Sequence, residues 1–316
     1  MRFMAHGRTS KVVCAVALLL TTISCGSHHP TEPTSGGTGG PNQQPPPNNP
    51  PVINSISVQG SRAKEPANFG DVGETVNLVA TVHDDETPVD QLQYSWSASL
   101  GTIDGTGSQV KWIAPAALPG SDPVDVTITL KVTETYGQAG GTQFEHDVSG
   151  TATLSLHDSM KEVGDMARQF LVDFSDSTIT DVSYVMRNFD ASCSGTVQET
   201  QQVSDNRKKF KIVRWNVGAS SVKIPFGDSF CPVPDRVQRG DACASNPVHW
   251  ESEVVGGGHF QIADGIDWIA AYYRPALKAW KLCDSQFTGT CVDTVTGGGC
   301  SDTQASSMVA GAWRAR

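Results

Sequence analysis

Between residues 52 and 156 the hydrophobic positions alternate with polar ones or run unbroken for a strand's length. They do so at 53–58, 75–83, 91–97, 109–113, 124–133 and 150–156. Gly70 and Gly73, Thr87-Pro88, Gly101 to Gly107 and Pro115 to Pro123 separate these runs. A period of two over four to eight residues, bounded by turn formers, predicts short strands and no helix. At His157 the period lengthens: Met160, Val163, Ala167, Phe170, Leu171 and Phe174 fall three or four apart, which places one apolar stripe along a helix. Lys161, Asp165, Arg168, Gln169 and Asp173 cover its other side, and Ser159 with Glu162 fits a capping box. The three-four spacing returns in Val182, Val185, Met186 and Phe189, which predicts a second helix after Thr180. After Cys193 the pattern reads as strands at 196–202, 208–217, 222–226, 248–255, 265–273 and 277–287. The last two are joined by Arg274-Pro275-Ala276, where a proline suits a turn and cannot sit in a central ladder.

These periods predict a multidomain chain: an all-β sandwich over 52–156, then an α+β roll over 157–290 with a helix on a curved antiparallel sheet. Residues 291–316 form a C-terminal tail. Upstream, residues 1–25 read as an export leader, with Arg2, Arg8 and Lys11 before a nine-residue apolar core, Val12 to Leu20. That core is too short to cross a bilayer and the right length for a signal sequence. Residues 26–51, rich in proline, glycine and asparagine, offer almost nothing apolar to offset the entropy of ordering, so they read as a disordered linker. The 316-residue chain carries a net charge of −10. Three of its 23 basic residues lie in the leader, so the rest holds 20 against 33 acidic ones, a net of −13. An acidic protein without clustered Lys and Arg is a poor partner for nucleic acid. Arg207-Lys208-Lys209 is a short run that reads as a solvated turn or strand end.

Three stretches resemble known families. Thr22-Ile23-Ser24-Cys25 resembles a bacterial lipobox, with threonine where leucine is usual. The resemblance implies that Cys25 becomes the lipidated first residue, anchored in the envelope, and Gly26 leaves out the aspartate linked with inner-membrane retention. The implied location is an outer-membrane lipoprotein or a secreted protein. The segment LQYSWSASLGTIDGTGSQVKWIAPA, residues 92–116, resembles the PKD and immunoglobulin-like modules of bacterial surface proteins. It implies that Trp96 fills the space between two sheets, with Tyr94 on the same face. Phe-Leu-Val-Asp-Phe at 170–174 and AWKLCDSQFTG at 279–289 resemble the nuclear-transport-factor and ketosteroid-isomerase-like superfamily, also called cystatin-like. That resemblance implies a conical cavity, which in different members holds a catalytic group, binds a ligand without chemistry, or is filled by side chains.

The catalytic candidates for such a cavity are Asp267, Asp284 and His249, with Tyr272 and Glu251 nearby in the pattern. Alternation puts His249, Glu251 and Glu253 on one face of their strand and Trp250, Ser252 and Val254 on the other. No G-x-S-x-G, H-E-x-x-H, C-x-x-C or phosphate-binding glycine motif occurs, and no cofactor is implied. Asp84, Asp85 and Glu86, beside His83, offer oxygen ligands for calcium without a fixed ligand spacing. Six cysteines fall between 193 and 300, an even number that in an exported domain implies disulfides. Fifteen pairings are possible in principle; Cys231 with Cys243 and Cys291 with Cys300 can each close across a local loop, which leaves Cys193 with Cys283, and zinc ligation is the rival reading of the six.

Two functions follow. One is a displayed interaction module with the sandwich as spacer, whose partner is a protein, glycan or small molecule. The other is a secreted isomerase, dehydratase or hydrolase that uses the cavity of the roll.

Overall fold

The alternating runs pair into two four-stranded sheets. The computed structural model describes residues 47–121, 123–137, 141–233 and 236–300; Cys25, the leader, most of the linker and residues 301–316 lie outside this set. The first strands are β1 (Val52–Gln59), β2 (Phe69–Asp71), β3 (Thr75–His83), β4 (Gln93–Ala98), β5 (Thr102–Asp104), β6 (Gln109–Ile113), β7 (Val124–Gly137) and β8 (Gln143–His157). One sheet runs β1-β3-β6-β5 and the other β2-β8-β7-β4, antiparallel except where β2 lies parallel to β8. Val58, Leu78, Val110 and Trp112 from the first sheet close on Val126, Ile128, Leu154 and Leu156 from the second, all buried.

The tryptophan at the centre of this core is Trp112, with no exposed surface; Trp96 is only half-buried and gives its indole N–H to Gly107 O at 2.9 Å. Trp112 donates to Leu100 O at 2.7 Å, and the Gly101 turn lets it in: a side chain there would meet the indole at 2.5 Å. Trp96 keeps the inward face that the resemblance implies, packing against buried residues of both sheets as Tyr94 does, but Trp112 lies deeper. Asn49, within the expected linker, donates from its side chain to Glu86 at 2.8 Å.

The helical stripe forms α1 (Ser159–Ser175), followed by a single turn, α2 (Val182–Val185), and by α3 (Ser194–Lys209). The cap of α1 is Asp158, which accepts from Lys161 N; Ser159 and Glu162 do not form the expected box but bond elsewhere. Val163, Ala167, Phe170, Leu171 and Phe174 are buried, whereas Met160 is exposed and Asp173 is buried.

The third helix overturns the strand expected at 196–202. Its buried face is Thr196, Glu199, Val203 and Asn206 at helical spacing, mostly polar and therefore invisible to a hydrophobic pattern. Val197 stands exposed. Arg207, Lys208 and Lys209 end this helix rather than a turn or strand, and there their charge complements the helix dipole.

The remaining strands are β9 (Phe210–Val217), β10 (Ser221–Lys223), β11 (Gly227–Val233), β12 (Arg236–Gly240), β13 (Ala242–Val254), β14 (Phe260–Arg274) and β15 (Ala279–Asp293). β13, β14 and β15 form an antiparallel meander. β10 and β9 share the free edge of β13, one after the other, and β11 pairs with β12 alone. The molecule is thus mostly β, with several sheets and one curled half-barrel. α1 and α3 pack against this sheet, over a core that includes Phe170, Phe174, Val203, Trp250, Leu282 and Phe287.

Disulfides join Cys193 to Cys283, Cys231 to Cys243 and Cys291 to Cys300. The first ties the start of α3 to β15 across 90 residues of sequence. Among the described residues no helix is long and apolar enough to cross a membrane.

Candidate functional site

The sheet pair and the half-barrel belong to one compact unit, which takes in the described residues. Phe69 shows why: it lies on β2 of the sheet pair, yet its ring is buried in the core of the other half. It stacks on His157 at 5.0 Å and meets Tyr273 at 4.7 Å and Phe226 at 5.2 Å. His157 contacts Glu162 through Nδ1 at 2.6 Å and the Tyr273 hydroxyl through Nε2 at 3.2 Å.

Beside this junction opens a cleft of about 740 Å³, within the range of small-molecule sites. Arg62, Asp71, Val72 and Glu74 line it from the sheet pair, and Asp158, Met160, Val222 and Ile224 from the other half. Arg62 sits in the β1–β2 loop, which is closed by Asn68 in the left-handed region (φ 59°), with its N–H on Val58 O at 3.1 Å. Its guanidinium donates to Glu65 at 2.6 Å, Asp71 at 2.8 Å and Glu74 at 3.0 Å. The same group lies 4.8 Å from the centre of the Phe226 ring and 5.6 Å from that of Phe69. Phe226 also has positive φ, 50°, which costs a bulky residue roughly 1–3 kcal/mol and is retained where surroundings or function demand it. Asp71 carries the network across the junction by accepting the N–H and the hydroxyl of Ser159, whose oxygen in turn accepts Trp280 Nε1–H at 3.0 Å.

One cation facing three carboxylates leaves this corner acidic. Burial opposes the charge on Arg62, but Glu65, Asp71 and Glu74 outweigh it and raise the guanidinium's affinity for its proton. Glu74 responds the other way: burial pushes its carboxyl up to about 7, only partly offset by the Asp71 N–H and Arg62. Among the described residues, Glu74 Oε1 and Arg62 Nε are buried without a hydrogen-bond partner. Such groups carry an uncompensated desolvation cost, and both residues line the cleft. Val72, Met160, Val222, Ile224 and Pro225 supply apolar wall, interrupted by Ser61, Asp158, Ser159 and Lys223, so the site suits a small molecule with a hydrocarbon body and a donor or cationic group.

The expected catalytic residues lie elsewhere and do not converge. Asp267 faces inward from β14 with almost no exposed surface, accepts Ser285 Oγ–H at 2.9 Å, and stands opposite Phe287 in the ladder. Burial pushes its carboxyl up to about 7, with Asp284 adding repulsion. Packed side chains surround it, where an enzyme needs a pocket. Asp284 is half-buried on the opposite face of β15. His249 points outward from β13, with Nδ1 on Asp264 at 2.7 Å and Nε2 3.6 Å from Glu251. The Asp264 hydrogen bond raises its affinity for a proton. Tyr272 lies under the Arg274 guanidinium at 5.1 Å.

The calcium candidates are each engaged otherwise. Asp84 accepts the N–H groups of Glu86 and Thr87, Asp85 meets His83, and Glu86 accepts Asn49. Among the described residues no cluster of three His, Cys, Asp or Glu side chains is placed to hold a metal.

No family model, curated protein or solved structure matches the chain. Arg62, Glu65, Asp71 and Glu74 were not singled out from sequence because they lie among turn residues. The one signal was three acids within twelve positions of an arginine in a stretch otherwise read as punctuation.

Proposed function

We propose that this is an exported, lipid-anchored binding protein of the cell envelope. In this reading an Ig/PKD-like sandwich and a cystatin-like roll jointly wall one ligand cleft, so the sandwich is more than a spacer. The observation that carries it is the cleft at the junction, where Glu74 Oε1 and Arg62 Nε lack partners among the described residues, beside the apolar side chains of Val72, Met160, Val222 and Ile224. The ligand class is a small amphiphilic cation, an amine or guanidine, whose donor meets Glu74. A cation there draws Glu74 to its charged form, so binding near pH 7 releases a proton. The test is titration calorimetry of the purified protein with aryl- and alkylamines and guanidines, against alcohols of the same skeleton, in buffers of differing ionisation heat. Amines should bind with proton release, and Glu74→Gln should weaken them about tenfold, as loss of one charge-assisted hydrogen bond does. Alcohols binding as well as amines, or unchanged affinity in Glu74→Gln, would sink the assignment.

The envelope anchor rests on the leader and Cys25. Feeding cells a fatty-acid analogue should label the wild type and leave Cys25→Ala unlabelled; equal labelling means the cysteine carries no lipid. The alternative, an enzyme working through Asp267, draws support from that carboxyl's raised proton affinity. Turnover of an ester, lactone or enol substrate abolished by Asp267→Asn would favour it.

A further inference from the structure

At the other end of α1, roughly 25 Å from the junction by helix rise, a second cleft of about 240 Å³ opens between that helix, the chain after it and β9. Its floor is apolar, made by Phe174, Phe210 and Ile212. Its rim carries Ser177, Thr180, Arg207 and Lys211. Arg207, in the last turn of α3, donates through Nη2 to Asp176 O at 2.5 Å and so closes the end of α1. That contact alone would make Arg207 a helix cap, but its other terminal nitrogen, Nη1, is buried without a hydrogen-bond partner among the described residues.

The neighbouring charges are otherwise committed or opposed. Asp176 spends its carboxylate on the N–H and hydroxyl of Thr178 at 2.8 and 2.7 Å, and Lys208 pairs with Asp205 at 3.6 Å. The carbonyl ends of α1 and α3 are negative and oppose an anion, while Arg207 covers the first and Lys211 adds a second cation at the rim. The surplus is a buried guanidinium donor beside an ammonium and two hydroxyls, over hydrophobic side chains.

We propose that this cleft binds a small organic carboxylate. One oxygen takes Arg207 Nη1–H, the rim hydroxyls and Lys211 face the other, and the hydrocarbon part lies on Phe174, Phe210 and Ile212. A guanidinium matches a carboxylate in geometry and charge, and the small volume limits the ligand to a short aliphatic or single-ring acid. The site is independent of the junction cleft and takes the opposite charge.

The experiment is ligand-observed NMR and calorimetry on the purified protein with phenylacetate and hexanoate, alongside phenylacetamide and inorganic phosphate. Both carboxylates should bind saturably, with the amide and phosphate at least tenfold weaker. Arg207→Gln should reduce carboxylate affinity at least tenfold. Because that change also removes a helix cap, Thr180→Glu provides a second test: the residue is exposed, and a carboxylate at the rim should repel the ligand to a similar degree without touching the core. Glu74→Gln should leave phenylacetate binding unchanged. Absence of saturable carboxylate binding, equal binding of the amide or phosphate, or unchanged affinity in folded Arg207→Gln and Thr180→Glu would each overturn the assignment.

Discussion

Phe69→Ala should cost about 3–5 kcal/mol, the range for removing a fully buried aromatic, and should loosen the junction between the two halves. The ring has no exposed surface, and four rings surround it: His157 and Tyr273 at 5.0 and 4.7 Å, Phe226 and Trp280 at 5.2 and 6.4 Å. All four come from His157 or later in the chain, while Phe69 is held by a three-residue strand of the sheet pair. The void left by alanine would be walled by aromatics fixed from two directions, so it could collapse little, and the cost should fall at the upper part of the range. Arg62 would also lose one of its two ring partners. Urea unfolding followed by tryptophan fluorescence and by far-UV dichroism should give one shared transition for the wild type. In the variant the midpoint should drop and the two probes should separate, because the core that couples the halves has been opened. A loss under about 1 kcal/mol with coincident transitions would mean that the halves are held together by something other than this ring.

The same residue marks what the sequence can and cannot disclose. The limits of β3 and β6 are legible to the residue, because Thr75–His83 and Gln109–Ile113 alternate cleanly and end at turn formers. α1 is legible because its buried side is apolar. β2 and β5 are three residues long and sit inside glycine-punctuated segments, too short for any period to register. The outer reaches of β7 and β8 pair Glu134 with His146 and Thr133 with Asp147, so their polar composition hides a ladder that is held by side-chain bonds. α3 is illegible for the opposite reason, since the face it buries contains a glutamate and an asparagine. The cleft was hidden because its walls come from the β1–β2 loop, the start of α1 and the chain around β10. Only the fold brings these together.

The carboxyl groups give the second large effect, with a sign unusual for acids. Asp267 is wholly enclosed and its carboxyl is pushed from 3.8 up to about 7 by burial. The folded state therefore holds a proton that the unfolded chain releases near pH 4. Stability from this group is present in full below about pH 4 and is lost as pH rises toward 7, since the folded state binds more protons throughout that window. Glu74 acts in the same direction between 4.5 and about 7. Asp190 acts in the opposite one: hydrogen bonds from Ser192, with help from Arg274, hold its carboxyl down at about 2, so its contribution is lost only as pH falls below 4. The protein should be most stable between pH 4 and 5 and weaken toward pH 8. Asp267→Asn keeps an oxygen to accept Ser285 and removes the charge. At about 1.4 kcal/mol per tenfold change in proton affinity, it should recover on the order of 3–4 kcal/mol at pH 8 while changing little at pH 4. The residual slope should belong to Glu74, joined above about pH 6.5 by His249, whose proton affinity is raised in the folded state, and should shrink when Glu74→Gln is added. Chemical denaturation from pH 4 to 8 measures all three. A wild type that gains stability across that range, or an Asp267→Asn variant that runs parallel to it, would show that this carboxylate is solvated in the folded protein and that the interior of the half-barrel admits water.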